Sequence, residues 1–306
     1  MLLRVRAAVL GAPIAHSLSP ALHRAAYQAL GLTGWSYEAI ECDETRLPAV
    51  LGGCGPDWAG LSLTMPLKRA VLPLLDEIEP LARAVGAANT VVFSGGRRHG
   101  HNTDVPGMIA ALAGIGVTGA PDGAPWQATV LILGGGATAC SALAAARGLG
   151  AAQVTVAVRD PARARDLLTA AARLGVAVTL TGFETPQDDA PEVLISTVPA
   201  GAADITDFET PQHDAPEVLI STVPAGAADI YAKRIAHRNL VPRNLLDVVY
   251  HPWPTALAAA AQEAGIPAAG GLDLLLHQAA HQVTLMTGQP APLQAMRAAG
   301  ESALRS

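Results

Sequence analysis

A glycine-rich turn in the middle of the chain is the first segment whose residue types suggest a chemical role. The apolar run Val130–Leu133 leads into Gly134, Gly135, Gly136, Ala137, Thr138 and Ala139, and an alanine-rich stretch of helical composition follows. In a strand, turn and helix of this form, glycine permits the tight turn and lets the backbone approach a pyrophosphate, which faces the unpaired N–H groups of the helix. The motif predicts a dinucleotide site. The alternative is a tight connection without a ligand.

The end of the next predicted strand bears on which dinucleotide is bound. Residues 153–158 are followed by Arg159, Asp160 and Arg163. NAD sites usually place an acid here, against the ribose 2′-hydroxyl, whereas guanidinium groups suit a 2′-phosphate. The two arginines therefore favour NADP, although Asp160 is also placed to face the ribose. An alternative is that both arginines are solvated charges at the start of a helix.

Four motifs in the first part of the chain place small polar groups beside turns. They are GAPIAHSLSP at 11–20, GLSLTMPLK at 60–68, ANT at 88–90 and GHNTD at 100–104. Hydroxyl, amide and charged groups gathered in this way can line a cleft and orient a small polar ligand. Such a cleft suits a hydroxylated acid.

Two α/β domains are predicted to position these motifs. From residue 129 onward, apolar runs alternate with helical stretches, which predicts parallel strands joined by helical crossovers in a doubly wound sheet. The preceding segment also alternates short strands with helices, as at 7–10, 60–63 and 20–30. We expect a substrate-binding and catalytic domain over 1–115, a Rossmann-like cofactor domain over 116–266, and a helical segment over 267–306 that packs back on the first domain.

A tandem duplication interrupts the predicted cofactor domain. Residues 181–205 are repeated at 206–230, with differences only at Gly182 against Asp207 and Asp188 against His213. Two units are too few for a repeat fold, so a local duplication or a sequence error is the simpler interpretation. Because a second central strand would have to displace its neighbours, we expect only one copy, preferably the second, to enter the sheet. The other copy is expected to loop out.

The order of the motifs resembles that of the shikimate dehydrogenase family. The likeness extends over almost the whole chain, because the glycine turn and its arginines are followed by DVVY at 247–250 and GLDLLLHQ at 271–278. The resemblance implies a two-domain enzyme that uses NADP (NADPH) to reduce 3-dehydroshikimate reversibly to shikimate. The chain departs from the family's Asn-Val-Thr at Ser62 and from its Asn-Arg-Thr at Asp160.

The resemblance also implies roles for individual residues. It places Lys68 and Asp104 at the reacting oxygen. It implies substrate contacts by Ser17, Ser19, Thr64, Asn89, Tyr250 and Gln278, the two serines at the carboxylate. It implies cofactor contacts by Gly134, Gly135, Gly136, Ala137, Thr138, Arg159, Arg163, Val248 and Gly271. A lysine ammonium can protonate a developing alkoxide while an aspartate holds it, with no metal needed; the alternative is a surface ion pair of little consequence.

Composition limits the other classes of function. The 306 residues are half hydrophobic and 15% charged, which predicts a folded chain, and the net charge of −6 with dispersed basic residues argues against a nucleic-acid partner. The longest uncharged stretch contains Pro125 and the glycine triplet, so it fits a strand and turn better than a membrane span. We expect a small-molecule substrate and a monomer or homodimer.

The N-terminal residues and the cysteines bear on location. No signal-peptide pattern follows Met1, which predicts a cytoplasmic protein. Cys42, Cys54 and Cys140 have no CxxC spacing and are expected to be buried thiols rather than disulfides or zinc ligands. Three other functions stay open at this point: a quinate or dual quinate/shikimate dehydrogenase, a catalytically silent regulatory homologue, and a bare Rossmann scaffold protein that binds no shikimate.

Overall fold

The chain, represented by a computed structural model, divides into two compact units. Unit 1 comprises residues 1–107 and 275–306, and unit 2 comprises residues 108–274. The structure describes residues 4–119, 130–133, 137–151, 153–158, 161–181, 193–196, 217–223, 226, 228–238 and 240–305. Both units are α/β, which confirms the predicted fold class.

Unit 1 is built on a mixed sheet. Its strands are β1 (Val5–Gly11), β2 (Trp35–Glu41), β3 (Trp58–Leu63), β4 (Glu77–Ile78), β5 (Thr90–Ser94) and β6 (Arg97–His101), in the spatial order β2-β1-β3-β5-β6-β4. β1 pairs in parallel with β2 and β3, while β5 is antiparallel to both β3 and β6. Ala7 to Leu10 of β1 are buried, as a central strand with both faces covered requires.

Helices cover this sheet and close the core of unit 1. They are α1 (Ser19–Ala29), α2 (Leu47–Gly52), α3 (Leu67–Ala70), α4 (Pro80–Val85) and α11 (Leu293–Leu304), and the boundary between the units falls within α5 (Asp104–Gly114) and α10 (Gly271–Thr287). Leu22 and Ala26 of α1 share one apolar cluster with Val283 of α10 and Met296 of α11. The C-terminal helices are therefore part of the core of unit 1.

Unit 2 contains a parallel sheet. Its strands are β7 (Val130–Leu133), β8 (Gln153–Ala157), β9 (Ala177–Thr181), β10 (Val193–Ser196), β11 (Val218–Ser221), β12 (Asn244–Asp247) and β13 (Ala268–Ala269), and its helices are α6 (Ala137–Gly148), α7 (Arg165–Leu174), α8 (Asp229–Ala236) and α9 (Ala256–Glu263). The spatial order is β13-β12-β11-β10-β7-β8-β9. The chain moves outward from β7 to β9 and then returns to the other side of β7, which is the doubly wound arrangement.

The prediction that only one copy of the duplication enters the sheet is wrong. β10 comes from the first copy and β11 from the second, and the two pair with each other in equivalent register, Val193 with Val218. β10 also pairs with β7, and β11 with β12. The added strand widens the sheet by one strand and leaves the order of the other strands unchanged. A looped-out copy would leave an apolar strand with an unpaired edge, whereas insertion gives its backbone groups partners on both sides.

Candidate active site

One edge of the sheet in unit 1 collects the polar motifs. The carboxyl ends of β1, β3 and β6 lie at this edge, and so does the start of β5, because β5 runs antiparallel to its neighbours. The segments that follow these ends carry Ser17, Thr64 and Asp104, and Asn89 directly precedes β5. The alternation of strand direction thus brings together residues that are far apart in the sequence.

Lys68 and Asp104 form the centre of the site. Lys68 Nζ donates to Asp104 Oδ2 at 2.7 Å, and the side chains are 32% and 15% exposed. Solvent screening is weaker here than for a fully exposed pair, so this contact differs from an ordinary surface ion pair. Asp104 also begins α5, where a negative charge is favoured by the helix dipole. The site thus holds an ammonium group that remains partly accessible to a ligand.

Asn89 connects this pair to two further polar groups. Its Nδ2 lies 2.9 Å from Asp104 Oδ1, 2.9 Å from Thr103 Oγ1 and 3.1 Å from Gln278 Oε1. The amide has two hydrogens for three acceptors, so at least one is shared. Asn89 is 1% exposed, so its orientation is set by these partners rather than by water.

The approach of α5 to α10 explains how Asp104 and Gln278 come to share Asn89. A Cβ at Gly107 of α5 would lie 2.9 Å from the backbone nitrogen of Gln278 and 3.0 Å from its Cβ. Glycine at this position therefore allows the two helices to pack closely. A larger side chain would force Gln278 away from Asn89.

The predicted carboxylate-binding serines lie beside this cluster. Ser17 is half-buried before α1, and Ser19, the first residue of α1, is 6% exposed and donates its backbone N–H to Ser17 Oγ at 3.3 Å. Thr64 is half-buried after β3, and its methyl group lies where a Cβ on Gly11 would fall. These three residues occupy the same edge as Lys68, and the backbone N–H of Thr64 donates to the carbonyl of Leu10 in β1 at 2.9 Å.

Sequence reasoning assigned no role to a set of buried polar residues behind the site, although Ser62, Thr90 and Thr103 lie in its motifs: Thr90, Thr103, Ser62, Gln282, Tyr37 and His23. Each is at most 3% exposed. Gln282 follows Gln278 by four residues on α10, so both lie on one face of the helix. A polar residue in an otherwise apolar stripe was the signal that could have marked Gln282.

The predicted residues of unit 2 are described only in part. Gly134 to Gly136, Arg159 and Asp160 lie outside the described residues, as do the side chains of Ala137 and Arg163. β7 ends at Leu133 and α6 begins at Ala137, with Thr138 in its first turn and no acidic residue there. Such a helix start suits a phosphate anion.

The loop after β12 carries the other predicted residues of unit 2. Burial raises the pKa of Asp247, which accepts from Thr255 Oγ1 at 2.6 Å and from the N–H of Val249 at 3.3 Å. Thr255 in turn caps α9 by accepting from the N–H of Ala258. These bonds fix both ends of the loop that carries Val248 and Tyr250, and burial raises the pKa of Tyr250.

Gly271 lies against this same loop. A Cβ at Gly271 would fall on the carbonyl of Val248, so only glycine permits this approach. Within the described residues we find no group of three side chains that could hold a metal ion, and no helix long and apolar enough to cross a membrane.

A doubly wound unit with a glycine-rich sequence between β7 and α6, together with a unit bearing a lysine, aspartate and amide cluster, defines the class of α/β oxidoreductases that use a nicotinamide dinucleotide. The family model of the shikimate dehydrogenase substrate binding domain matches residues 9–91, and that of the shikimate 5′-dehydrogenase C-terminal domain matches residues 271–299. The chain belongs to the shikimate dehydrogenase family.

Individual relatives support this assignment over nearly the full chain. The shikimate dehydrogenase (NADP(+)) of Thermus thermophilus is 34% identical over 298 residues, which cover 93% of this chain and 93% of the relative. The crystal structure of Mycobacterium tuberculosis shikimate dehydrogenase is 40% identical, with a TM-score of 0.76 and coverage of 97% and 99%. A crystal structure of shikimate 5-dehydrogenase from Thermus thermophilus in complex with NADP(H) and shikimate is 32% identical, with a TM-score of 0.71 and coverage of 98% and 99%.

Proposed function

We propose that this chain is an NADP-dependent dehydrogenase that reversibly reduces 3-dehydroshikimate to shikimate. The observation that carries the proposal is the contact between Lys68 and Asp104 at the sheet edge, with Asn89 bonded to the same carboxylate. Relatives covering most of this chain are shikimate dehydrogenases, and the Thermus thermophilus crystal structure holds both NADP(H) and shikimate.

Lys68 performs the proton transfer in this proposal. In the reductive direction its ammonium group donates a proton to the substrate oxygen as negative charge develops there, and in the oxidative direction the amine takes the proton back. Asp104 holds the lysine and accepts a hydrogen bond from the substrate hydroxyl. The bound nicotinamide supplies or accepts the hydride.

The remaining residues bind and orient the substrate. Ser17 and Ser19 precede and begin α1, and their hydroxyl groups bind the carboxylate. Thr64, Asn89, Tyr250 and Gln278 contact the hydroxylated ring. Each supplies a hydroxyl or amide group, which can donate to and accept from ring hydroxyls. Ser62 takes no direct part, because its hydroxyl is bonded to Tyr37 and Gln282.

The cofactor residues lie in unit 2. Gly134, Gly135, Gly136, Ala137 and Thr138 bind the pyrophosphate at the start of α6, where the first turn lacks acidic residues. Arg159 and Arg163 bind the 2′-phosphate, and Val248 and Gly271 contact the nicotinamide half. The close approach of Gly271 to Val248 supports their joint role. Unit 1 (residues 1–107 and 275–306) serves as the substrate domain and unit 2 (residues 108–274) as the cofactor domain, so the expected boundaries at 115 and 266 each lie eight residues from those of the units.

The partners and location follow from the same proposal. The substrate is a small molecule, and the enzyme acts as a monomer or homodimer in the cytoplasm. Cys42 and Cys54 are thiols in the structure, which supports a reducing compartment.

The test is reduced-nicotinamide absorbance with shikimate or quinate, each combined with NADP or NAD. We expect the highest kcat/KM with shikimate and NADP. A higher kcat/KM with quinate would reassign the substrate, and binding of both ligands without turnover would indicate a silent homologue. Absence of shikimate binding in calorimetry would refute the proposal altogether.

A further inference from the structure

A row of buried hydrogen bonds connects Tyr37 of β2 to the active-site carboxylate. It passes through Ser62 of β3, Gln282 of α10 and Thr90 of β5 before reaching Asn89. These side chains are 0–3% exposed. Water therefore does not compete for their hydrogen bonds, and each group must satisfy its bonding with other protein groups.

The backbone carbonyl of Asn89 fixes the direction of the first half of the row. A carbonyl oxygen only accepts, so the Gln282 atom 3.3 Å from it is the amide Nε2. Gln282 Oε1 then faces Ser62 and accepts from its hydroxyl at 2.7 Å. Since Ser62 has one hydroxyl proton, Tyr37 must donate to Ser62, at 2.6 Å.

The second half of the row continues in the same direction. Gln282 Nε2 donates to Thr90 Oγ1 at 3.0 Å, so the Thr90 hydroxyl is available to donate to Asn89 Oδ1, also at 3.0 Å. The N–H of Thr103 donates to the same oxygen at 2.8 Å. Asn89 is thereby turned so that its Nδ2 donates to Asp104.

We infer that Gln282 is a positioning residue for the dehydrogenase reaction, which holds Asn89 in the orientation that donates to Asp104. Bonds that all donate in one direction polarise one another in a medium of low dielectric constant. Donation to a carboxylate favours its ionised form, which is the form that holds Lys68. The inference rests on the proposed roles of Lys68 and Asp104.

The surroundings of Asp104 make this effect measurable. The charged group in contact with it is Lys68 on α3. The residue before β5 presents the neutral amide of Asn89, whose other partner on α10 is the neutral amide of Gln278. A neutral substitution at Gln282 therefore reaches Asp104 through the orientation of Asn89 and not through a new charge.

The main test is Gln282→Leu, which removes the donor and the acceptor at similar side-chain volume. We expect kcat to fall about tenfold, the effect of one lost buried hydrogen bond, while KM changes less than about threefold. An unchanged kcat would overturn the inference.

A second variant tests the direction of the bonds. In Gln282→Glu the protonated acid can still donate one bond, whereas the ionised acid cannot donate to either partner. Its activity relative to Gln282→Leu should therefore rise as the pH falls. A ratio that is constant with pH would contradict the directional row.

Two further variants distinguish the positioning role of Gln282 from a merely structural effect. Thr284→Ala, an exposed position on the same helix whose hydroxyl bonds to Ala280 O, should leave kcat and the melting temperature unchanged. Tyr37→Phe removes only the first donor and should lower kcat by less than Gln282→Leu does.

A readout that needs no turnover separates this inference from the proposed function. The side-chain amide of Asn89 gives two proton resonances in a nitrogen-correlated NMR spectrum, and Gln282→Leu should shift both. Lack of turnover in the unsubstituted protein would refute the proposed function while these resonances still test the row. Unshifted resonances would refute the positioning role of Gln282.

Discussion

His23 should make the folding of unit 1 sensitive to mild acid. It lies on α1 with no exposed surface, and its Nδ1 donates to the carbonyl of Ser19 at 2.9 Å. Its Nε2 is buried without a hydrogen-bond partner among the described residues, and its ring stacks on Tyr37 with centroids 3.9 Å apart. Such a site accommodates a neutral imidazole and disfavours an imidazolium.

The size of the effect follows from its pKa. Burial lowers the pKa of His23 from 6.5 to about 4, with partial opposition from the bond to Ser19. Above pH 6.5 the histidine is neutral in both the folded and unfolded states and has no effect. Between pH 6.5 and 4 the unfolded chain binds a proton that the folded chain does not, so the free energy of unfolding falls. The loss is about 2 kcal/mol at pH 5 and about 3 kcal/mol near pH 4.

Native-state hydrogen exchange can measure this loss in each unit separately. In the unsubstituted protein the amides of β1 should lose protection as the pH falls from about 7 to about 5. His23→Phe keeps an apolar ring, and the loss in the free energy of opening over the same pH range should be smaller by about 2 kcal/mol. The amides of β8 in unit 2 are the internal control and should not respond to the substitution. His237→Phe is a matched variant, because His237 makes the same bond to a carbonyl four residues earlier but is exposed.

Equal pH dependence in the unsubstituted protein and in His23→Phe would refute this reasoning. If His23→Phe fails to fold, the ring resonances of His23 in the unsubstituted protein provide the same test. They should remain those of a neutral imidazole down to about pH 5.

Three other predictions concern catalysis, the cofactor and the duplication. Lys68→Ala should lower kcat by ~10²–10⁴-fold with a smaller change in substrate affinity, and Arg69→Ala, its charge-matched neighbour, should retain kcat in the same absorbance assay. Arg159→Ala should weaken NADP about 10–100-fold in calorimetry and leave NAD nearly unchanged; equal losses would exclude a 2′-phosphate contact. Deleting residues 206–230 should leave a chain that melts cooperatively in circular dichroism, with one strand fewer. Deleting 181–205 gives a chain that differs from it at two positions, so a large difference in melting between the two would contradict this expectation.

The spacing of apolar residues predicted most of the helices and strands, because burial of one face imposes that spacing on the sequence. A helix was expected at 20–30 and is found at Ser19–Ala29, and the helical segment expected over 267–306 contains the helix Gly271–Thr287. β1 was expected at 7–10, which are buried residues of Val5–Gly11. Apolar side chains that must face a core repeat at the period of the element, so the pattern appears in the sequence itself.

The contacts of the site could not be predicted in this way. Lys68 and Asp104 are 36 residues apart, and Ser62 and Gln282 are 220 residues apart. The pairing of β3, β5 and β6 brings the first two together, and the packing of α10 brings the second two together. Neither contact leaves a local pattern in the sequence. The resemblance to a family supplied Lys68 and Asp104, but Gln282 lies outside its motifs and was found only through its hydrogen bonds.

The duplication shows where a topological argument can mislead. Both copies contain the strand-like Val-Leu-Ile-Ser, and local pattern alone predicts two strands. A parallel sheet can accept an added strand without a change in the order of the others, because each new strand needs only a neighbour in register and a crossover.

The first copy, as β10, lies next to β7, so it borders the point where the sheet reverses direction and where doubly wound folds bind ligands. The second copy, as β11, places β12 three strand spacings from β7 instead of two. Since one spacing is about 4.8 Å, the duplication places the loop of Val248 and Tyr250 about one strand width further from the end of β7. This edge of unit 2 is therefore wider than a single copy would make it.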